Sequence, residues 1–473
     1  LPRKQNTSRD GSLQKHRLEA ESYAGALSNG HKERENQSRA CLIDKVIEPQ
    51  NLWKACLSVK RNHGAPGIDG MTTEELVPTV KKYYQPLIQK LKEGTYQPQP
   101  VKRVRIPKPD GSARKLGIPR VLDRMVQQAI YQVLVPILDP SFSKYSYGFR
   151  PHRSAQMAIR QSETYWSEGY RVAVICDLKS YFDTINHQRL MAYLERFISD
   201  KVILKLIWKF LNAGFMDGET FSATREGAPQ GGNLSPLLAN LYLDQLDKEL
   251  ERRGHKFVRY ADDFRIYVSS KRAGERVLKS VTYFLENKLG LAVNPSKSCV
   301  GSPMKHKFLG FRLYRMKQTV TCYPDSTAKQ RLLRKLKKIT RRNRPGTFQN
   351  IAQEINQTAI GWINYYAIGA MKTFLIRTKQ WLNHRLRQLI WKRWKSVRTR
   401  YRQLRRFGID HDEALKLAGS RKKYWRLSHS ETLHRAIQNK TLIRWGIKDW
   451  LPQYERMRVN YGTAVYGTVR TVV

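Results

Sequence analysis

The chain reads as an α+β protein, with sheet-forming stretches in its first two thirds and a long basic helical region after them. Three stretches carry that expectation. His255–Val268, HKFVRYADDFRIYV, holds two short runs rich in aromatic and β-branched residues, Phe257–Tyr260 and Phe264–Val268, around a tight turn of Ala261, Asp262 and Asp263. Arg171–Leu178, RVAVICDL, is a mostly apolar run that fits a central strand covered on both faces. Residues 327–343 are mostly Lys, Arg, Leu and Ile at helical spacing.

Composition narrows the class of partner. A chain of 473 residues with 40% hydrophobic content can build about two to four domains. Its formal charge of +48 is a large self-repulsion to carry without a counter-charge, so a polyanion is expected, nucleic acid first. The plainer alternative is a basic surface kept for solubility. Five scattered cysteines, Cys41, Cys56, Cys176, Cys299 and Cys322, form no CxxC pair, which argues for a reducing compartment and against a zinc ribbon or disulfide frame. His429 and His434 then read as solvated or core residues. No run of about 18 apolar residues exists to span a membrane, and no apolar signal core stands at the N-terminus, so a cytoplasmic protein without a membrane partner is expected. The first residue is Leu rather than Met, which suggests a trimmed chain or a non-standard start codon.

Taken in order, residues 1–40 are polar and aperiodic and read as a flexible leader. Order is expected from Leu42, with Leu52, Ala55, Cys56 and Val59 at helical spacing up to Gly64. A loop, GAPGIDG (64–70), and a second helix to about Lys92 follow. VKRVRIPKPDGSARKLGIP (101–119) is a basic hairpin turning at Pro109-Asp110-Gly111; it reads either as an edge hairpin defended by cations or as a finger that clamps phosphates. Asp123–Leu138 is a buried helix and YGFRP (147–151) a loop carrying Arg150. Asp177 ends the apolar strand, where a carboxylate is costly unless it is paired, binds metal or caps a helix. EGAPQGGNLSPLLANLYL (226–243) is a Gly-rich turn opening an apolar helix, with Ser235 as cap and Pro236 in the first turn. An amphipathic helix over about 272–289, the loop LGLAVNPSKS and FLGF (308–311) follow. The aromatic cluster GWINYYAIG (361–369) comes next, and then Trp381, Trp391, Trp394, Tyr401, Tyr424 and Trp425 alternate with cations. That alternation suits stacking on bases and riding on phosphates, or a helical core with snorkelling cations.

The hairpin Asp262-Asp263 pair asks for a chemical reason. Adjacent carboxylates repel each other, and an ordinary turn is content with one Asp and a Gly. The pair makes sense beneath a divalent cation, since hard ions want carboxylate oxygens and leave positions open for phosphates.

The order of these features (Asp at a strand end, PQGG loop and helix, YADD hairpin, Lys-bearing loop, FLGF) resembles the reverse-transcriptase palm. The stretches NHGAPGIDG, IPKPDGSARKLGIP, YGFRP, QGGNLSPLLANLYL and GWINYY are similar to those of group II intron-encoded reverse transcriptases (maturases), over residues 50–450 or so. The resemblance implies a right-hand polymerase: fingers and palm over 41–320, a helical thumb or maturase region over 321–395 and a basic DNA-binding region over 396–473. It implies RNA-directed DNA polymerase activity with two Mg²⁺ ions. Asp177, Asp262 and Asp263 would be catalytic, Asp177 and Asp262 bridging the metals with help from the Leu178 carbonyl, and Asp263 supporting. Lys108 and Arg114 would hold the triphosphate, Phe182 would exclude a 2′-hydroxyl, Gln230 would contact nucleotide and template, Lys297 would protonate pyrophosphate and FLGF would grip the primer. The implied partners are the intron RNA, an RNA template with DNA primer, a DNA target and dNTPs, for splicing and for copying the intron at its target (retrohoming by target-primed reverse transcription). Cys176 and Phe264 depart from the family pattern at positions that hold no metal. The Cys pairs of the nuclease domain that many relatives carry are absent, so no endonuclease is expected. Two alternatives stay open: a splicing maturase without polymerase activity, and a host-adopted reverse transcriptase tied to no intron.

Overall fold

The computed structural model describes residues 41–107, 111, 113–224, 226–229, 231–316 and 319–466. The expected leader over residues 1–40, and Lys108 and Gln230, lie outside the described residues. The described chain forms two compact units, one of residues 41–154, 174–267 and 272–300, the other of residues 155–173, 268–271 and 301–466.

In the first unit, helix Pro49–Arg61 buries Leu52, Ala55, Cys56 and Val59, the face its spacing predicts, and packs on helix Val121–Leu138. Where one helix was expected to reach Lys92, the chain makes two, Leu76–Lys82 and Tyr84–Lys92. Pro86 explains the break, because it has no N–H for the Lys82 carbonyl and its ring crowds that turn. The two arms of the basic hairpin pair as expected, β1 (Val101–Pro107) and β2 (Ala113–Ile118) running antiparallel with Ile106 opposite Arg114, while Pro109 and Asp110 of the expected turn lie outside the described residues. The sequence reading missed its continuation: β1 also pairs in parallel with β4 (Phe215–Asp217), and β5 (Thr220–Ser222) closes the sheet in the order β2-β1-β4-β5. Strands of three residues around Gly218, at φ +65°, are too short to show a period.

The second sheet of this unit runs β6-β7-β3-β8. Its members are β3 (Val172–Cys176), β6 (Lys256–Tyr260), β7 (Asp263–Val268) and β8 (Cys299–Gly301). Asp263 opens β7 opposite Tyr260 instead of closing the turn, so the loop proper is Ala261-Asp262. Helix Ser235–Arg252 is buried nearly all round, with Leu237, Leu238, Leu241, Leu246 and Leu250 in the core. Ser235 is its first residue rather than its cap. Leu234 holds the cap position, and no side chain satisfies the first amides. Helix Lys271–Tyr283 continues as a π-helical turn to Leu289, where Gly290, at φ +69°, ends it.

The second unit contains an antiparallel hairpin of β9 (Phe311–Met316) and β10 (Thr319–Pro324), with helix Ala155–Ser167 packed on β10. Helix Ser326–Ile339 buries Ala328, Leu332, Leu336 and Ile339 and turns Arg334, Lys335, Lys337 and Lys338 outward. FLGF and GWINYY meet here. Gly310, at φ +81°, packs so tightly that a Cβ would stand 2.5 Å from the Tyr366 hydroxyl, and the Tyr365 hydroxyl donates to the Leu309 carbonyl at 3.0 Å. Of the two readings of the cation–aromatic alternation, the helical core with cations lying over its rings is present: Trp391 is fully buried, and Tyr424 lies within 5.9 Å of Arg342 and 5.3 Å of Lys392.

Candidate active site

Strand β3 ends at Cys176 and delivers Asp177 to a connection braced by the loop before β8. The Asp177 amide donates to Ser298 Oγ at 3.0 Å, the Asn294 amide to the Asp177 carbonyl at 2.8 Å, and the Lys179 amide to the Ala292 carbonyl at 2.9 Å. Leu178 is bridged to Val293. Asp177 caps no helix, since the next α-helix, His187–Leu194, is capped by Asn186. Lys297 lies in the bracing loop with its side chain exposed. Ser180 then takes the left-handed conformation, φ +46°, and leads into one 3-10 turn, Tyr181–Asp183. The Tyr181 hydroxyl donates to the Ala239 carbonyl at 2.6 Å, and its ring meets Phe182 edge-on at 5.4 Å. That contact fixes Phe182, half-buried, a few residues beyond Asp177.

The β6–β7 loop is held from below by a buried ion pair. Ala261 sits at φ +57°, a conformation a non-glycine residue adopts only when its surroundings hold it there. Arg259, wholly buried, donates to Asp247 at 2.8 and 2.5 Å, to Asn240 Oδ1 at 2.9 Å and to the Ala261 carbonyl at 3.1 Å. Asn240 in turn donates to the Gly148 carbonyl at 2.7 Å. Gly148 lies directly against the loop: a Cβ there would stand 2.4 Å from the Ala261 nitrogen. The sequence reading missed Arg259, Asp247 and Asn240. It noted YGFRP as a family-like stretch and as the loop of Arg150, and that residue is a brace, donating to Asp139 at 2.7 Å and to the Ser143 and Ser146 carbonyls.

Asp177 just beyond β3, Asp262 in the β6–β7 loop and Asp263 at the start of β7, the neighbour of β3, therefore stand close enough for Asp177 to act on the other two. Burial raises the Asp262 carboxyl above the usual range, and Asp177 adds to the rise, while Arg114 and Arg259 oppose it. Asp263, exposed at the start of β7, is raised by the protein around its carboxylate and then by Asp262 and Asp177, against the pull of Arg265. Arg114 on β2 is exposed and within electrostatic reach of Asp262, as a triphosphate ligand there would need to be. A cavity of about 310 Å³ opens beside Phe182, lined also by Arg103, Lys115, Gly117 and the segment Glu226–Pro229. Its mixed lining suits a ligand with both an apolar ring and anionic groups.

Among the described residues, no three acidic, imidazole or thiol groups converge closely enough to hold a metal ion by themselves. Mg²⁺ usually takes one or two carboxylates and fills its other positions with water and substrate phosphates. Asp177 and Asp262 offer two carboxylates of that kind, and the push that Asp177 exerts on the Asp262 carboxyl is one that a divalent cation would relieve.

Two stretches of the chain match known families. Residues 106–313 match the family "Reverse transcriptase (RNA-dependent DNA polymerase)", and residues 329–408 match "Group II intron, maturase-specific domain". Protein YkfC of Escherichia coli K12 is 35% identical over 317 residues, covering 58% of this chain and 83% of that protein. Group II intron-encoded protein LtrA of Lactococcus lactis is 31% identical over 361 residues, 61% of this chain and 59% of LtrA. The putative COX1/OXI3 intron 1 protein of Saccharomyces cerevisiae is 29% identical over 323 residues, 56% of this chain and 38% of that protein. This chain thus spans under two thirds of the length of LtrA and of the COX1/OXI3 intron 1 protein. Of solved structures, a chain of the partial Cas6-RT-Cas1--Cas2 complex matches at 27% identity over 53% of this chain and 43% of its own, with a TM-score of 0.35, too low to compare architectures. No helix among the described residues is long and apolar enough to cross a membrane.

Proposed function

Because the chain belongs to the family of group II intron-encoded reverse transcriptases and maturases, we propose that it copies its own intron RNA into DNA and also binds that RNA to assist splicing. One observation supports the polymerase reading: Asp177 just past β3 and Asp262 in the loop leading into the adjacent strand β7 lie within electrostatic reach. Asp177 and Asp262 would hold two Mg²⁺ ions, with the Leu178 carbonyl assisting and Asp263 supporting. Bound there, the ions stabilise the attacking 3′-oxygen and the leaving pyrophosphate. The chain's own part is positional. Arg114, with Lys108, fixes the triphosphate, Phe182 packs beneath the sugar and admits deoxynucleotides, and Gln230 meets nucleotide and template. Lys297 stands on an exposed loop as the proton donor to pyrophosphate. The partners in this reading are the intron RNA, a DNA primer on an RNA template, a DNA target and dNTPs, and the setting is the cytoplasm.

Primer extension on an RNA template with Mg²⁺ and dNTPs, comparing the chain with Asp262→Asn, tests this, with both preparations also assayed for intron splicing at low Mg²⁺. The expected outcome is extension reduced at least ~1,000-fold by the substitution, with splicing retained by both proteins. A parent chain that splices without extending is a maturase alone, and one that extends without assisting an intron is a polymerase tied to none.

A further inference from the structure

His187 is buried beside the proposed sugar-contacting residue and takes no part in the chemistry described above. Its Nε2 lies 2.6 Å from the Gly227 carbonyl. A carbonyl only accepts, so Nε2 carries the proton and donates it. Two further bonds run between the same two segments: the Gly227 amide donates to the Ile185 carbonyl at 2.7 Å, and the Ala228 amide to the Phe182 carbonyl at 2.7 Å. The three form a clasp between the Phe182–His187 segment and the start of the Gly-rich loop. The fit leaves no slack, since a Cβ on Gly227, at φ +91°, would stand 2.9 Å from the carbonyl oxygens of Phe182 and Asp183. The His187 ring is held in turn by the edge-on Trp208 ring at 6.0 Å, and its Nδ1 is buried without a hydrogen-bond partner.

We infer that His187 is a specificity-positioning residue: through the Gly227 carbonyl and the Ala228 amide it sets the height of Phe182 beneath the incoming sugar, and so the discrimination between deoxy- and ribonucleotides. The inference rests on the reading of Phe182 as the residue that excludes a 2′-hydroxyl. Removing the donor leaves the Gly227 carbonyl unpaired and frees the loop to shift, lowering the Phe182 backbone with it. Discrimination then falls while the residues that hold metal and triphosphate keep their places.

The test is single-nucleotide incorporation of dNTP and rNTP on an RNA template with a DNA primer, read as the ratio of the two kcat/KM values. Four proteins are compared with the parent: Phe182→Ala, His187→Phe, which keeps the ring and loses the donor, His187→Gln, whose amide can donate at the Nε2 position, and His187→Asn, whose amide is too short to reach. Phe182→Ala and His187→Phe are expected to relax the dNTP preference about tenfold or more, with His187→Gln close to the parent. Should His187→Phe fail to fold, the contrast of His187→Asn with His187→Gln carries the same comparison. A relaxed Phe182→Ala beside a folded donor-less variant with the parent's ratio overturns the role of His187. An unchanged ratio in Phe182→Ala overturns the reading of Phe182 itself, and the inference with it.

Discussion

Asp244 lies on the buried helix Ser235–Arg252, three residues before the partner of Arg259. It is fully buried, and burial first, then the charge of Asp247, pushes its carboxyl up to about 6, against Lys248 and the Tyr193 hydroxyl. An unfolded Asp titrates near 3.9, about two units lower. The folded state therefore binds its proton more tightly, and stability is greatest below about pH 4, falls as pH rises towards 6 and is flat above. The rise is worth roughly 3 kcal/mol. Asp244→Asn should remove that loss together with the mutual repulsion between Asp244 and Asp247, so the variant gains on the parent between pH 4 and 7 in urea unfolding, while the site acids act alike in both and cancel. A gap between the two proteins that does not change with pH would sink the idea. At this scale the sequence flagged candidates where the residue type was odd for its place, as with the adjacent Asp262 and Asp263 or Asp177 following an apolar strand. Arg259 was not legible, because an Arg in a strand reads as an exposed cation and its partner Asp247 sits on a helix the pairing does not reveal.

The β6–β7 hairpin was legible as an element because its signals are local: two β-branched and aromatic runs and a short turn. Its height above the sheet was not, since that comes from the Arg259 network and from Gly148, more than 100 residues earlier in the chain. Gly148→Ala is the direct test of that support. The new methyl meets backbone at 2.4 Å from the Ala261 nitrogen and 2.9 Å from the Tyr260 carbonyl carbon, so the loop must move. Overpacking of this kind costs about 1–3 kcal/mol. A displacement of about 1 Å at a reacting centre costs ~100-fold in rate. Extension at saturating template and dNTP should therefore fall about 100-fold while the melting temperature drops only modestly. A folded variant that extends at the parent's rate would show that Asp262 does not depend on this contact. The same contrast of scales explains the missed β4–β5 hairpin, whose three-residue strands are defined by pairing with β1 rather than by any pattern of their own.

For the whole molecule, composition was the most informative single quantity, because a formal charge of +48 survives any detail of the fold. The structure shows where part of that charge is spent. Helix Ser326–Ile339 keeps its apolar stripe inward and presents Arg334, Lys335 and Lys338 to solvent, with Arg341 and Arg342 following. Such a face gains little from packing and repels itself, which is the electrostatic state that phosphate binding relieves by releasing counterions. With about six to ten phosphates engaged, affinity for intron RNA should fall by ~10³–10⁵ between 50 and 200 mM salt. If this helix face engages three of those phosphates, Arg334→Ala, Lys335→Ala and Lys338→Ala together should flatten the log–log salt slope by about two to three, roughly one for each cation removed. An unaltered slope in the triple variant would place the phosphate-binding cations elsewhere on the chain, and an affinity flat with salt in the parent would remove the electrostatic basis for RNA binding altogether.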